Sequence, residues 1–172
     1  LFGALGTLAA SQGTMNNFTF GNADLQYYET VCGGSGAGPG FSGTDAVHTH
    51  MTNSRITDPE ILETRFPVLL EEFSIREGSG GDGKFKGGNG VVRKLRFLQD
   101  MNAAILSSHR KLPPFGLKGG MPGKCGRNAL IRRDGSVLEI GGQAEVELKS
   151  GELFVIETPG GGGYGEKESK RG

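Results

Sequence analysis

Short apolar runs separated by glycine-rich turns make up most of the chain after its first 67 residues. Seven runs combine aliphatic and aromatic residues with the alternating or near-continuous apolar character of strands. They lie at 68–77, 91–98, 102–110, 127–133, 136–142, 144–150 and 152–159. Asp134-Gly135, between the fourth run and the fifth, is a hairpin signal. The pattern predicts an antiparallel region that is sandwich- or barrel-like.

The N-terminal third mixes strand signals with helix signals. Phe18 and Phe20 share one face of a short strand that follows a polar turn, and tyrosine and valine favour a second strand over 24–31. Leucines at helical spacing within residues 1–10 predict a short N-terminal helix.

A second helix is signalled after Asp58. This residue is a plausible N-cap, and Pro59 occupies the first helical position. The helix is predicted to end before Pro67, because the residue before a proline avoids the α region. The fold class is therefore expected to be α+β and β-dominated, with a short N-terminal helix, one helix after Asp58, and then antiparallel strands with glycine-rich turns.

Composition adds one unusual feature, which is the abundance of glycine. Of the 172 residues, 32 are glycine, well above the roughly 7% of average proteins. The glycines have no G-X-Y period and cluster between strand-like runs, which indicates tight turns and close backbone approaches. The length and the absence of a linker predict a single domain over 1–172. Because the sequence opens inside an apolar pattern without an initiating methionine, we expect a fragment of a longer polypeptide.

Charge and cysteine content exclude several classes of function. Lys plus Arg and Asp plus Glu each number 19, so there is no electrostatic case for a nucleic acid or an anionic membrane as the partner. No stretch approaches the ~20 apolar residues of a membrane-spanning helix. Cys32 and Cys125 are too few for a disulfide framework, which favours a reducing, cytoplasmic location.

The glycine-rich segment GGSGAGPG at 33–40 resembles a phosphate-binding loop only superficially. It lacks the lysine and following helix of a P-loop, and Pro39-Gly40 interrupts a dinucleotide fingerprint. A loop that lets two elements pack closely, or a lid over a pocket, is the better interpretation. The run ETPGGGGYG at 157–165 predicts a backbone path against another chain or domain.

His48 and His50, separated by one residue, are the strongest chemical feature of the sequence. On a strand they would share a face and could approach one ligand, including a transition metal. The nearest carboxylates in sequence are Glu29, Asp45 and Asp58, but their spacing fixes none as a further ligand. The alternative is that each ring is bound to a backbone carbonyl.

Two other groups of residues have side chains that could bind a ligand or act as nucleophiles. Uncharged polar residues gather at Ser11, Gln12, Asn16 and Asn17, where they could bind an amide-like ligand or satisfy a tight turn. Turn chemistry is the commoner role. Neither cysteine has a base at motif spacing, so each is interpreted as a small buried hydrophobe.

Five segments in order along the chain resemble the hydantoinase B/5-oxoprolinase family, at the C-terminal end of its B-type region. They are SQGTMNNFTFG, YYETVCGGSGAGPG, GTDAVHTHMTNSRITDPEILETRFPVLL, GSGGDGKFKGGNGVVR and ETPGGGGYG. Together they run from about residue 10 to residue 165. The stretch TNSRITDPEILETRFP is more similar to the ATP-dependent 5-oxoprolinase branch than to the N-methylhydantoinase branch.

The resemblance implies an ATP-driven hydrolysis of a cyclic amide: 5-oxo-L-proline, ATP and water give L-glutamate, ADP and phosphate. It implies a hydrolase in which an A-type region binds ATP and Mg outside this chain, and a B-type region that acts on the activated ring. Further implications are a role in glutathione metabolism and an oligomeric full-length protein. The resemblance also allows a divalent metal of unknown identity, whose other ligands would lie outside this chain. A related hydantoin or lactam is the alternative substrate.

The resemblance and the side-chain chemistry together suggest site residues. His48 and His50 are candidates for the base or an electrostatic partner, and no metal ligand is assigned. The substrate-binding candidates are Asn16, Asn17, Asn53 and Arg55. In the alternative interpretation the chain is a scaffold or interface domain, and catalysis lies wholly outside it.

Overall fold

Two antiparallel sheets face each other across one hydrophobic core. The computed structural model describes residues 1–50, 52 and 54–167. The first sheet has the order β2-β1-β5-β8 and the second β3-β4-β9-β6-β7. The elements are β1 Asn16–Gly21, β2 Gln26–Thr30, α1 Pro59–Arg65, β3 Val68–Arg76, β4 Gly90–Phe97, β5 Met101–Ser107, β6 Arg127–Ile131, β7 Val137–Ile140, β8 Gln143–Leu148 and β9 Leu153–Glu157. The expected β-dominated, antiparallel fold is confirmed, including all seven strands after residue 67.

Aromatic side chains from both sheets fill the core. Phe18 and Phe20 of β1 both point inward, as their spacing predicts, and are almost completely buried. The ring of Phe18 lies 4.5 Å from that of Phe154, and the ring of Phe20 lies 5.2 Å from that of Phe97, measured between centroids. These contacts join strands of different sheets, so burial of aromatic surface holds the sheets together.

The helix after Asp58 forms as predicted. Asp58 accepts a hydrogen bond from the Glu60 amide at 3.0 Å, and Pro59 is the first residue of α1. Leu62 is the buried residue of its seven, and the helix ends at Arg65, before Pro67. Within the described part of the chain, no helix is long and apolar enough to cross a membrane.

The prediction of a short N-terminal helix is wrong. Residues 2–6 form turns, with bonds from the Leu5 amide to the Leu1 carbonyl and from the Thr7 amide to the Phe2 carbonyl. Leu1 and Leu5 are 91% and 66% exposed, so the leucine spacing has no core to face. A short helix without a packed face is unstable in water, and the glycines within the turns disfavour it further.

Five extended segments, four of them rich in glycine, bind one another laterally through backbone hydrogen bonds. We call them the glycine layer, and its segments are 9–12, which contains no glycine, 33–38, 80–88, 116–124 and 159–163. The amides of Gly160, Gly161, Gly162 and Gly163 donate to the carbonyls of Lys124, Gly88, Ala10 and Met121, respectively. The run 157–165 therefore packs against segments of its own chain, which corrects the expectation of another chain or domain.

Candidate functional site

One cavity of about 350 Å³ is lined by both histidines of the His48-Thr49-His50 segment. This volume lies within the roughly 300–1,000 Å³ of small-molecule sites. The opposite wall comes from the glycine layer, through Ser11 and Ser35. The structure therefore brings the predicted histidine pair into a concave site.

A backbone bridge sets the position of His48. Val47 and Gly33 exchange hydrogen bonds, which fastens the start of the histidine segment to the glycine layer. The half-buried ring of His48 then reaches back to β2, where its Nε2 lies 2.7 Å from the carbonyl oxygen of Thr30. Because a carbonyl only accepts, Nε2 must carry the hydrogen, so the neutral ring keeps its lone pair on Nδ1.

His50 differs from His48 in exposure and in backbone conformation. It is exposed, and its φ of +58° lies in the left-handed region. Residues other than glycine adopt this conformation uncommonly, and such strain concentrates at functional sites. The two histidines therefore form one restrained and one solvent-facing group on the same cavity.

The remaining wall combines hydroxyl groups with apolar surface. Ser11 Oγ accepts from the Gly36 amide at 2.9 Å, and Ser35 Oγ accepts from the Thr44 amide at 2.7 Å. A hydroxyl that accepts one bond can still donate its hydrogen. Phe41 adds an exposed aromatic ring, and no charged side chain lines this cavity within the described residues. The arrangement suits a small, largely neutral ring with polar atoms.

The glycine-rich loop does not bind a phosphate through its backbone. The amides from Gly33 to Gly38 all donate within the chain, to Val47, Pro159, Thr44, Ser11, Gly162 and Phe41 in that order. A phosphate cradle needs free amides. The interpretation of this segment as a close-packing loop is therefore confirmed, and ATP does not fit it.

Each carboxylate near the histidines in sequence is engaged elsewhere. Glu29 pairs with Arg93, Asp45 accepts from the Asn89 amide at 2.6 Å, and Asp58 caps α1. Across residues 1–50, 52 and 54–167, no group of three His, Cys, Asp or Glu is placed to hold a metal ion.

Asn16 lies in a buried polar cluster away from the lining of the histidine cavity. Its side chain is fully buried, donates to Gln12, and accepts from Arg110 Nη1 at 2.6 Å. Arg110 also donates to Asn128 Oδ1 at 2.9 Å. Burial, together with the nearby positive charge of Arg76, lowers the pKa of Arg110 to about 10.

The other substrate-binding candidates are dispersed. Asn17 accepts from the Thr30 hydroxyl at 3.1 Å on the outer side of the first sheet. Arg55 is exposed and does not line the histidine cavity. Asn53 lies outside the described residues.

A buried charge cluster was not predicted as a unit, although Glu29 is one of the carboxylates named with the histidines in the sequence. Arg93 of β4 and Glu29 of β2 form a two-bond pair across the sandwich, at 2.7 and 2.9 Å, and their side chains are 0% and 3% exposed. The Tyr27 hydroxyl donates to Glu29 at 2.9 Å and lies 2.8 Å from the Thr57 hydroxyl. The available signal was a charge at an inward strand position, since Arg93 shares its face of β4 with the buried Val91 and Leu95.

The two cysteines are expected to differ in reactivity. Burial raises the pKa of the Cys32 thiol to about 11, whereas Cys125 is half-buried. The thiolate is the reactive form, so iodoacetamide at pH 8 should label Cys125 first in the folded chain and both residues in urea. Peptide mass spectrometry of the two states measures this. Equal labelling rates in the folded chain would contradict the assignment of Cys32 as an inert core residue.

The two-sheet architecture has a solved counterpart. The chain aligns with the crystal structure of an ATP-dependent caprolactamase from Pseudomonas jessenii at a TM-score of 0.76. The alignment covers 93% of this chain and 30% of that one at 24% identity, and it shows the shared fold.

Sequence comparison defines the family. The family model described as hydantoinase B/oxoprolinase matches residues 1–167. The chain is 52% identical over 169 residues to the 5-oxoprolinase of Dictyostelium discoideum, covering 98% of this chain and 13% of that protein. It is also 52% identical to 5-oxoprolinase 1 of Arabidopsis thaliana, covering 91% and 12%. The chain belongs to the hydantoinase B/oxoprolinase family and spans about an eighth of the length of these relatives.

Proposed function

We propose that the chain forms one wall of the ring-opening site in an ATP-dependent cyclic-amide hydrolase of the 5-oxoprolinase type. The observation that carries this proposal is the histidine cavity, where His48 and His50 meet hydroxyl groups and apolar surface. The family and the 5-oxoprolinase relatives support the reaction class.

In this proposal His48 is the general base. Its Nε2 hydrogen is held by the Thr30 carbonyl, which leaves Nδ1 to accept a proton from water. Water then attacks the ring carbon after the amide oxygen has been phosphorylated, and the C–N bond of the adduct breaks as the nitrogen takes up a proton. A second water hydrolyses the resulting acyl phosphate to the carboxylate and phosphate. Hydroxyls of Ser11 and Ser35 donate to oxygen as negative charge develops, and His50 adds a solvent-facing partner.

ATP chemistry belongs to another part of the parent protein. We place ATP and Mg in an A-type region outside this chain, because the glycine-rich loop has no free amides from Gly33 to Gly38. We keep Arg55 and Asn53 as candidates for the substrate carboxylate on chemistry alone, since Arg55 lies outside the cavity lining. We further propose a cytoplasmic, oligomeric parent enzyme that acts in glutathione metabolism.

A scaffold function is the second candidate, and the bond from His48 to the Thr30 carbonyl favours it. In that case the ring only fastens the segment to β2. Catalysis would lie wholly outside the chain.

His48→Gln in the full-length parent separates the two candidates. The glutamine amide can still donate to the Thr30 carbonyl, but it cannot act as a base. We expect glutamate formation from 5-oxoproline to fall by roughly 100-fold or more, the usual contribution of a general base, while ADP formation continues. His50→Ala should also lower glutamate formation. Parallel assays with hydantoin identify the substrate class.

His109→Ala is the matched control. His109 also has a left-handed backbone, with φ of +55°, but its ring binds the Leu112 carbonyl away from the histidine cavity. It should retain turnover. Wild-type glutamate formation in both His48→Gln and His50→Ala would refute the base assignment and leave the scaffold.

A further inference from the structure

The segment that carries the histidines is attached to strand β2 at each end of the segment. We call the described residues of this segment, 48–50, 52 and 54–57, the histidine loop. At its start His48 Nε2 binds the Thr30 carbonyl at 2.7 Å, and at its end the Thr57 hydroxyl lies 2.8 Å from the hydroxyl of Tyr27. His50 lies between these two attachments. β2 therefore contacts this segment on both sides of His50, in addition to the Val47–Gly33 bridge that fastens its start.

The second attachment is held by a chain of buried polar contacts. The Tyr27 hydroxyl donates to Glu29 Oε2 at 2.9 Å, so Thr57 is the partner that donates to Tyr27. Glu29 is in turn bound at both oxygens by Arg93 of the opposite sheet. Burial, followed by the charge of Glu29, raises the pKa of Tyr27 to about 12. Its hydroxyl consequently remains a donor at neutral pH.

Stability alone does not account for this cluster. A buried ion pair loses so much hydration that apolar residues of similar size are often as stabilising. Here the cost is greater, because Arg93 Nη1 is buried without a hydrogen-bond partner in the described structure. The cluster instead fixes positions. The two bonds from Arg93 orient the Glu29 carboxylate, which holds the Tyr27 hydroxyl, and this hydroxyl contacts Thr57 of the histidine loop.

We infer that Tyr27 and Glu29 are positioning residues, which act through the histidine loop to place His48 and His50 at the cavity. This inference rests on the proposed function for its catalytic consequence. The geometric part, that the Tyr27–Thr57 contact restrains the loop, stands on its own.

Tyr27→Phe tests the inference with little risk to the fold. The ring packs against Phe20 at 4.8 Å and Phe66 at 4.9 Å, and phenylalanine keeps both contacts. In the full-length enzyme we expect glutamate formed per ADP to fall roughly fivefold, as for loss of the one hydrogen bond between the neutral hydroxyls of Tyr27 and Thr57. Thr57→Val should have the same effect. The double variant should fall no further, because both changes remove one contact.

Tyr28→Phe is the control, since it deletes the same atom from the neighbouring residue on the exposed face of β2. Its hydroxyl contacts Thr30 Oγ1, and it has no hydrogen bond to the described residues of the histidine loop. Turnover and coupling should remain at wild-type values. A purely structural role would lower the folded fraction without changing the glutamate-to-ADP ratio of the folded enzyme, so that result would overturn the inference.

Hydrogen exchange supplies a readout that does not depend on the reaction. Tyr27→Phe should accelerate amide exchange in the histidine loop and leave β4 and β9 unchanged. If His48→Gln retains full turnover and Tyr27→Phe still accelerates exchange in the histidine loop, the proposed function fails and the loop restraint stands. If His48→Gln loses turnover but Tyr27→Phe is wild-type in coupling and exchange, the positioning inference fails.

Discussion

Replacing Gly161 by alanine is expected to leave the chain largely unfolded. A Cβ at this position would overlap the carbonyl group of Ser35, and the nearby amide of Gly36 closes the same space. These are backbone atoms of an interior segment, so no side-chain rotation relieves the clash. The loss should reach about 4 kcal/mol or more, a large part of the 5–15 kcal/mol typical of a domain. Urea unfolding and soluble yield measure it.

Gly141→Ala is the control for this substitution. Its nearest surrounding atom is the Gln143 carbonyl oxygen, 3.8 Å from an added Cβ, and its φ is not positive. The change in unfolding free energy should remain within about 0.5 kcal/mol. If the two variants were equally stable, the glycine layer could relax around a methyl group, and its close packing would not explain the glycine content.

Replacing Arg93 by methionine is expected to lower the unfolding free energy by about 3–5 kcal/mol, the cost of leaving a buried charge without its partner. Glu29 would lose both guanidinium bonds while remaining inside the sandwich. The contact of the Arg93 guanidinium with the Phe73 ring, at 5.3 Å, would also disappear. Chemical unfolding of the single variant measures this loss.

The double variant Arg93→Met, Glu29→Met distinguishes the charge from the packing. With both charges removed, the stability should return to within about 2 kcal/mol of the wild type. Coupling of ATP use to glutamate formation should remain low, because Tyr27 then has no fixed acceptor. A double variant as unstable as the single one would show that the arginine stem, and not the unpaired carboxylate, accounts for the loss.

The strands were predictable because their signal is local. In β4, Val91, Leu95 and Phe97 alternate with partly buried positions, and this period specifies a strand and its buried face. The cap at Asp58 is equally local, since one carboxylate and the following proline define the start of α1. The leucines of residues 1–10 have a helical period but no core to contact, so the same type of signal failed there.

The candidate site was predictable only in part, because its walls come from distant segments. The two histidines could be identified as candidates from their residue type, but nothing near them in sequence identifies Ser11 or Ser35 as their neighbours. Asn16 looked like a ligand because amides bind amides. Its inward position on β1 and its bond to Arg110 emerge only when β5 is paired beside it. Arg93 has a local signal, a charge at an inward position of β4, but nothing in the sequence identifies Glu29 on the opposite sheet as its partner.

The glycine layer also has a consequence for the order of events during synthesis. Its segments begin at residue 9, but the run from Gly160 to Gly163 supplies the amides and carbonyls that bind the others. Until a ribosome has released that run, the amides of Gly34 and Ala37 lack their acceptors, Pro159 and Gly162. A nascent chain can thus form the strand pair β1–β2 early, whereas the glycine layer cannot be completed until residues 159–163 have been synthesised. Residues 160–163 therefore complete the glycine layer after all of its other segments have already been synthesised.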